Sequence, residues 1–287
     1  ERFTGRIKGV MNARKWLRLS TNLDISVSEY QNDYDSSDNS NNIFSNVNRV
    51  APIYPIFIRD ENGNIIQDEN GDVYDYGDGT HNNGISRPIN TGSNRIQEAL
   101  IQTQKYHNMK MGAKVAADFI ITPELTATFN VAYDQRDRRY ISTRQPFYGS
   151  SNPGGTVSVS APKTITLNNQ QLINYNKGFN NGHNVKVTLL HEMYDSNSYS
   201  LSGGRSNMFN YFENQELAGA ITMTSNNSYT SNYQSEGYGG RILYDYKNIY
   251  NFDASYRRDA STNFHPNYRW GNFYSFGGAY LISRGIL

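Results

Sequence analysis

Residues 17–27 read LRLSTNLDISV, and their side chains alternate in character. Leu17, Leu19, Thr21, Leu23, Ile25 and Val27 take the odd positions, and Arg18, Ser20, Asn22, Asp24 and Ser26 the even ones. The same period of two runs through 111–121, where Met111, Ala113, Val115, Ala117, Phe119 and Ile121 alternate with a set that includes Lys114 and Asp118. It returns in 125–133 (Leu125, Ala127, Phe129, Val131 and Tyr133 against Thr126, Thr128 and Asn130). In 250–259, Tyr250, Phe252, Ala254 and Tyr256 alternate with Asn251, Asp253, Ser255, Arg257 and Asp259. Period two sends successive side chains to opposite faces of a strand, so each run is a strand with one apolar and one wetted face. The length of the runs is the sharper constraint. Strands of soluble sandwiches average about 5–6 residues, whereas about 9–11 tilted residues cross a bilayer.

The connections alternate between short and long. MNARKW (11–16), TPEL (122–125), FNNGHN (179–184) and YKNI (246–249) are tight links, and polar stretches at 31–104, 149–169, 196–236 and 260–270 are the long ones. Short turns at one end of the strands and long loops at the other are the layout of an outer-membrane barrel, with periplasmic turns and extracellular loops. The expected fold is therefore all-β: a transmembrane antiparallel β-barrel segment of about nine strands, several projecting beyond the outer leaflet. A soluble β-sandwich is the competing architecture.

Composition narrows the function classes. The chain has 287 residues, a formal net charge of +1 and no cysteine, with a mean hydropathy of −0.72. No run approaches the 18 or so apolar residues of a membrane helix. A low mean hydropathy is also what a barrel gives, because only alternate residues face lipid. Near-zero charge leaves no electrostatic footprint for nucleic acid, and the lack of cysteine removes disulfide frameworks and thiolate zinc sites. Glu1 is not an initiator methionine, and residues 281–287 (LISRGIL) continue a strand-like pattern. The expectation is a section of a longer protein, with any plug, signal peptide and C-terminal strands outside it.

No catalytic constellation stands out. The histidines are His81, His107, His183, His191 and His265. His183 and His191 share a strand face but lie about 26 Å apart by strand rise, too far to hold one metal. His191-Glu192 lacks the helical H-E-x-x-H spacing. A rim protease would need a carboxylate–histidine cluster, for which Asp134, Asp137 and His265 are the candidates. Arg136, Asp137, Arg138, Arg139 and Tyr140 read as a barrel rim. In the first long stretch, DENGNIIQ (60–67) is followed by DENGDVYD (68–75). Each Asn-Gly suggests a hairpin with a type I′ turn. A calcium loop is the alternative, but Gly63 and Gly71 stand fourth after the leading aspartate where that loop needs its glycine sixth.

If the wall is a barrel, Arg241, Asp245, Asp253, Arg257 and Asp259 face the lumen, to line or brace the wall or to meet substrate. On the other parity, Tyr274, Phe276, Tyr280 and Ile282 face lipid, against Ser275, Gly277, Ala279 and Ser283. Arg258 has outward parity at the outer leaflet, where it could meet headgroup phosphates of lipid or lipopolysaccharide. The long loops, rich in Tyr, Asn and Gly, offer aromatic faces and amides for substrate and partner contact.

Residues 256–283, YRRDASTNFHPNYRWGNFYSFGGAYLIS, also resemble a family signature, RRDGSSRFGP…RWGYFPSVSLGWRIS, of the SusC/RagA class of TonB-dependent outer-membrane transporters. The shared positions are Tyr256, Arg257, Arg258, Asp259, Ser261, Phe264, Pro266, Arg269, Trp270, Gly271, Phe273, Ser275, Ile282 and Ser283. GHNVKVTLLHE (182–192) is similar to the family's HNV…LLGYE strand, and NARKWLRLSTNLDIS (12–26) to its KWLKLGANLSYS strand. Ala260 departs from the usual Gly, and Tyr274 and Phe276 from Pro and Val. The resemblance implies that residues 1–287 are part of one receptor barrel of about 22 strands, within the even numbers such barrels take. It further implies no enzyme activity and no cofactor, but active import of a nutrient, glycan or peptide, captured with a SusD-like surface lipoprotein. The TonB–ExbB–ExbD complex would act through a missing N-terminal part, in the outer membrane of a Gram-negative, Bacteroidetes-like cell. A passive porin or surface-adhesin barrel would share the fold without plug or lipoprotein. A soluble all-β binding module would pack Tyr250, Phe252 and Tyr256 against a second sheet.

Overall fold

The computed structural model describes residues 1–32, 52–69, 71–80, 83–89, 91–92, 94, 96–97, 100, 103–146, 154–211 and 213–285. Ten strands form one antiparallel sheet: β1 (Arg2–Arg14), β2 (Leu17–Asn32), β5 (Thr103–Ile120), β6 (Leu125–Arg144), β7 (Thr156–Ser160), β8 (Lys163–Gly178), β9 (His183–Met208), β10 (Ala220–Tyr246), β11 (Tyr250–Ser261) and β12 (Trp270–Tyr280). The two-stranded β3 (Gln67–Asp68) and β4 (Gly71–Asp72) stand apart. β7 and β8 share one lane between β6 and β9, so the sheet has nine lanes. The break falls at Ala161-Pro162, where proline has no N–H to give the ladder. The Pro162 carbonyl still accepts from the Arg138 amide at 3.0 Å.

Register keeps the two faces separate. Leu23 pairs with Ile7 on one side and Ala113 on the other. Ala113 pairs with Tyr133, and Tyr133 with Leu167. One face therefore carries Leu, Ile, Val, Phe and Tyr along every lane, and the other carries Asn, Ser, Thr, Lys, Arg and Asp. Among the described residues no second layer covers the apolar face: Phe252 is 58% exposed and Phe276 81%. A single wall with bare apolar residues on one side and polar residues on the other fits lipid outside and water inside, not a sandwich.

The four short links are tight turns, as the spacing predicts. Lys247 and Asn248 both have positive φ (54° and 56°), and the Ile249 amide donates to the Tyr246 carbonyl at 3.0 Å. That is a two-residue type I′ turn, whose twist matches the strands it joins.

Among the described residues, the stretches 149–169 and 196–236, expected as loops, are mostly strand. β7 and the start of β8 occupy most of the first, and the ends of β9 and β10 most of the second, pairing from Tyr246–His183 up to Ala220–Met208. Of these upper segments, residues 224–228 of β10 are polar on both faces, so no alternation marks them. Near their tips a small core forms from Ile141, Val157 and Ala220, packed by Val159, Met208 and Leu217. β12 ends at Tyr280, and Ile282 and Ser283 fall in a short helical turn, off the sheet. In the first long loop, Gly63 has φ +85° but Asn62 does not have positive φ. With Gly63 N–H donating to the Asp60 carbonyl at 3.0 Å, the hairpin is a type I turn closed by a left-handed glycine rather than type I′. The Asp60 carboxylate accepts from the Asn62 and Asn64 amides at 2.9 and 2.8 Å, which is turn chemistry and not a calcium cage. His81 and the second Asn-Gly, at Asn70, lie outside the described residues.

Candidate functional site

The wetted face of β8–β11 carries a lattice of charged and amide groups. Arg241, Asp245, Asp253, Arg257 and Asp259 all lie on it. Register sets Arg241 opposite Ser255 and Asp253 opposite Leu243, so Arg241 reaches Asp253 diagonally. Its Nε stands 3.1 Å from Oδ1, and Nη2 closes a second contact to Oδ2. Asp245 accepts from Asn184 Nδ2 at 3.0 Å and from the Asn248 amide at 3.1 Å, tying the wall to the type I′ turn below it.

Arg257 is the most connected of the five. Its Nε donates to Asp259 at 2.7 Å, and its Nη2 crosses the whole of β10 to reach Glu192 on β9 at 3.2 Å. The crossing is open because β10 has glycine there. A Cβ at Gly237 would fall 2.4 Å from Asp259 Oδ1 and 2.7 Å from Arg257 Nη2. Glu192 also accepts from Asn168 at 3.1 Å and Gln170 at 2.7 Å on β8. One carboxylate thus binds side chains from lanes on both sides of its own strand. Nothing in the local sequence around Glu192 marks this role, because Arg257 is 65 residues away.

At the mouth, the turn between β11 and β12 bends over the same face. A cleft of about 390 Å³ is lined there by Arg257, Asp259, Phe264, Tyr268, Arg269 and Phe273 among others. Exposed rings beside a guanidinium and carboxylates suit contact with sugars or peptides.

On β1, β2, β5 and β6 the wetted face is basic. β1 brings Arg2, Arg6 and Lys8, β2 brings Arg18, β5 brings Lys110 and Lys114, and β6 brings Arg136 and Arg138. Asp24, Asp118 and Asp134 oppose them, and with Arg144 at the outer end of β6 that is nine cations to three carboxylates. Arg18 pairs with Asp118 at 2.8 Å, and Lys110 stands 3.9 Å from Asp134.

The apolar face turns polar only toward the outer end. The Arg258 guanidinium lies 5.0 Å over the Trp270 ring, Trp270 stacks at 6.0 Å with Tyr238, and Tyr238 at 4.5 Å with His191. His191 Nε2 stands 3.0 Å from Glu236. This is the aromatic girdle expected at a membrane interface. His191 and Glu192 therefore serve opposite faces. Asp134 and Asp137 likewise fall on opposite faces of β6, so they form no rim cluster with His265. Asp137 instead lies 4.0 Å from Lys163, and Arg139 donates to Glu216 at 2.6 Å.

The described architecture is that of an outer-membrane β-barrel, as one contiguous arc of its wall. No family model matches the chain. A TonB-dependent receptor of Formosa agariphila is 27% identical over 169 residues, covering 53% of this chain and 15% of that protein. The structure of the RagAB peptide transporter superposes with a TM-score of 0.76 at 19% identity, over 99% of this chain and 30% of that one. The RagAB peptide importer in its closed-closed state gives 0.73 at 20% identity, over 96% of this chain and 29% of that one. These likenesses are to TonB-dependent receptors in sequence and to the RagAB barrel in fold. The chain is similar to one section of such a barrel, and it spans about a seventh of the curated relative's length and under a third of the superposed structures.

Proposed function

We propose that this chain is part of the barrel wall of an active importer, which takes up a glycan or peptide nutrient across the outer membrane of a Gram-negative, Bacteroidetes-like cell. A SusD-like lipoprotein would deliver cargo at the mouth, and TonB would act on a plug inside the barrel. The observation that carries this reading is the wall itself: nine lanes with apolar residues on one face and a hydrogen-bonded polar lattice on the other, matching RagAB along 99% of the chain. The relative's name and the titles of the superposed structures support import over a passive pore.

Arg241, Asp245, Asp253, Arg257 and Asp259 serve this function mainly as braces. Four of them use their charged groups on one another, and Asp245 is held by Asn184 and a turn amide. The mouth cleft beside Phe264, Tyr268 and Phe273 is the better place for cargo. Arg258, beside Trp270, is placed for a lipid or lipopolysaccharide phosphate.

The test is to tag the full-length protein in its own cell. The expected result is recovery from the outer-membrane fraction together with a surface lipoprotein, and loss of growth on one glycan or peptide source when either this gene or tonB is deleted. Growth that needs this gene but not tonB would leave a passive barrel. Recovery from the soluble fraction would leave a β-module.

A further inference from the structure

Charge is not evenly spread over the wetted face. Across β10 and β11, Arg241 and Arg257 are both held by carboxylates. Across β5 and β6 the balance is different. Lys114 and Arg136 are exposed, and among the described residues neither has an ion-pair or hydrogen-bond partner. Among the described residues, the Arg138 side chain donates to the neutral Asn108 alone, at 3.0 Å. Both flanking lanes, β2 and β8, are in place, and the carboxylates beside these cations, Asp24 and Asp134, both stand opposite Gly112, where among the described residues Asp134 pairs with Lys110 and neither pairs with Lys114 or Arg136. Register even sets Arg136 directly opposite Lys110. Like charges facing each other across a sheet cost stability, so the arrangement does not serve the wall.

We propose that the β5–β6 wall is an electrostatic track for anionic oligomers, with Lys114, Arg136 and Arg138 contacting carboxylate or sulfate groups of the cargo as it passes. Arg136 and Arg138 are two residues apart on β6, and Lys110 and Lys114 four apart on β5. That is a spacing of about 7 and 13 Å along the strands, which suits repeated charges on an extended chain. Several weak contacts in series let a solute enter and still leave. The inference deepens the import reading and rests on it.

The test uses full-length transporter in detergent and four fluorescent probes: octaglutamate, an octameric oligogalacturonate, and the neutral octaglycine and maltooctaose. At low salt at least one anionic probe binds more tightly than its neutral counterpart, and the binding weakens as salt shortens the reach of charge. Which anionic probe wins tells peptide from glycan. In a Lys114→Gln, Arg136→Gln, Arg138→Gln variant the affinity falls about tenfold, the sum of three exposed ion pairs. Heat-modifiable mobility on a gel confirms that the variant is folded. No preference for either anionic probe, or equal affinity in the variant, overturns the proposal. Unchanged affinity together with a newly trypsin-sensitive segment would assign these cations to an acidic face of the same protein. Loss of uptake in a tonB deletion is read separately, so a failed track and a failed transporter give different results.

Discussion

Gly237 is predicted to be worth more than its neighbour Gly239, although both are glycines on the same face of β10. Alanine normally gains about 0.5–1 kcal/mol over glycine in a strand, because less backbone entropy is lost on folding. At Gly239 the added Cβ would meet Leu190 Cβ and the Tyr256 carbonyl at 3.8 Å, an ordinary contact. Gly239→Ala is therefore neutral or mildly stabilising. At Gly237 the Cβ falls 2.7 Å from Arg257 Nη2 and 2.4 Å from Asp259 Oδ1. Both are ends of flexible side chains, so the backbone holds and the side chains swing away. What is lost is the Arg257–Glu192 reach of 3.2 Å, between side chains 42% and 23% exposed. A half-exposed, charge-assisted pair of this kind contributes about 1 kcal/mol. The gain from alanine is common to both variants and cancels, so they should differ by about 1 kcal/mol, the lost pair. The assay is urea unfolding of the full-length barrel in micelles, read by gel mobility. The decisive control repeats Gly237→Ala in an Arg257→Ala background, where the extra loss should vanish. Equal midpoints for Gly237→Ala and Gly239→Ala, or the same loss without Arg257, would refute the crossing as the reason for this glycine.

Three further outcomes follow from the same geometry. Phe252→Arg places a cation on the lipid face and should impair membrane assembly by about 2–4 kcal/mol, whereas Ser255→Arg on the wetted face should be much milder; equal assembly yields would contradict the strand parity. Tyr211→Phe, at a 2% exposed site whose phenol shares a 3.0 Å hydrogen bond with Thr143, should lower the unfolding midpoint by an amount equal to about 1 kcal/mol. Burial pushes that phenol up to about 12 from an ordinary value of 10.0. Its contribution is complete below pH 10 and is lost as pH rises through 12, so an alkaline melt should show a loss that the phenylalanine variant lacks. Hydrogen bonds from Asn64 hold the Asp60 carboxyl below its ordinary value of 3.8. The hairpin at residues 60–64 should keep its protected Asn62 and Asn64 amides above that value and lose them as the pH falls through the lowered one; amide exchange measured down this range would show it.

Much of the membrane wall was legible because lipid enforces a rule on single residues. Leu19, Leu23, Val115, Phe129 and Phe252 each had to be apolar, and Ser20, Asn22 and Asn130 were free to be polar, so parity could be read without any partner. The rule lapses above the membrane. Asn226, Asn227 and Ser228 on β10 are polar on both faces, so their strand pairing left no contrast to detect. The Thr-Val-Ser-Val-Ser of β7 held the one usable hint, a β-branched alternation inside a stretch read as loop. On β8, Asn169 and Gln171 face the apolar side, where Gln171 Nε2 donates to Asn169 Oδ1 at 2.8 Å, which blurred that lane as well. The brace at Glu192 was hidden for another reason. Its meaning depends on what Gly237 leaves out, and a missing side chain signals only once register shows what passes through the space. The basic bias of β5 and β6 was present in the sequence but became visible only when parity sorted Lys114, Arg136 and Arg138 onto one face.

β10 runs for 27 residues and β9 for 26, and only about 10 of these are needed to cross the bilayer. The remainder, at about 3.4 Å per residue and a tilt near 40°, raises the tip of this hairpin about 40 Å above the lipid headgroups. The pore on this side is thus a chimney more than a hole. An arriving solute meets protein well clear of the membrane, and anything that caps the opening rests out among the surface sugars. On the proposed import reading, the membrane-spanning wall lies a further descent below, so capture and passage would be separated by height before any moving part is involved.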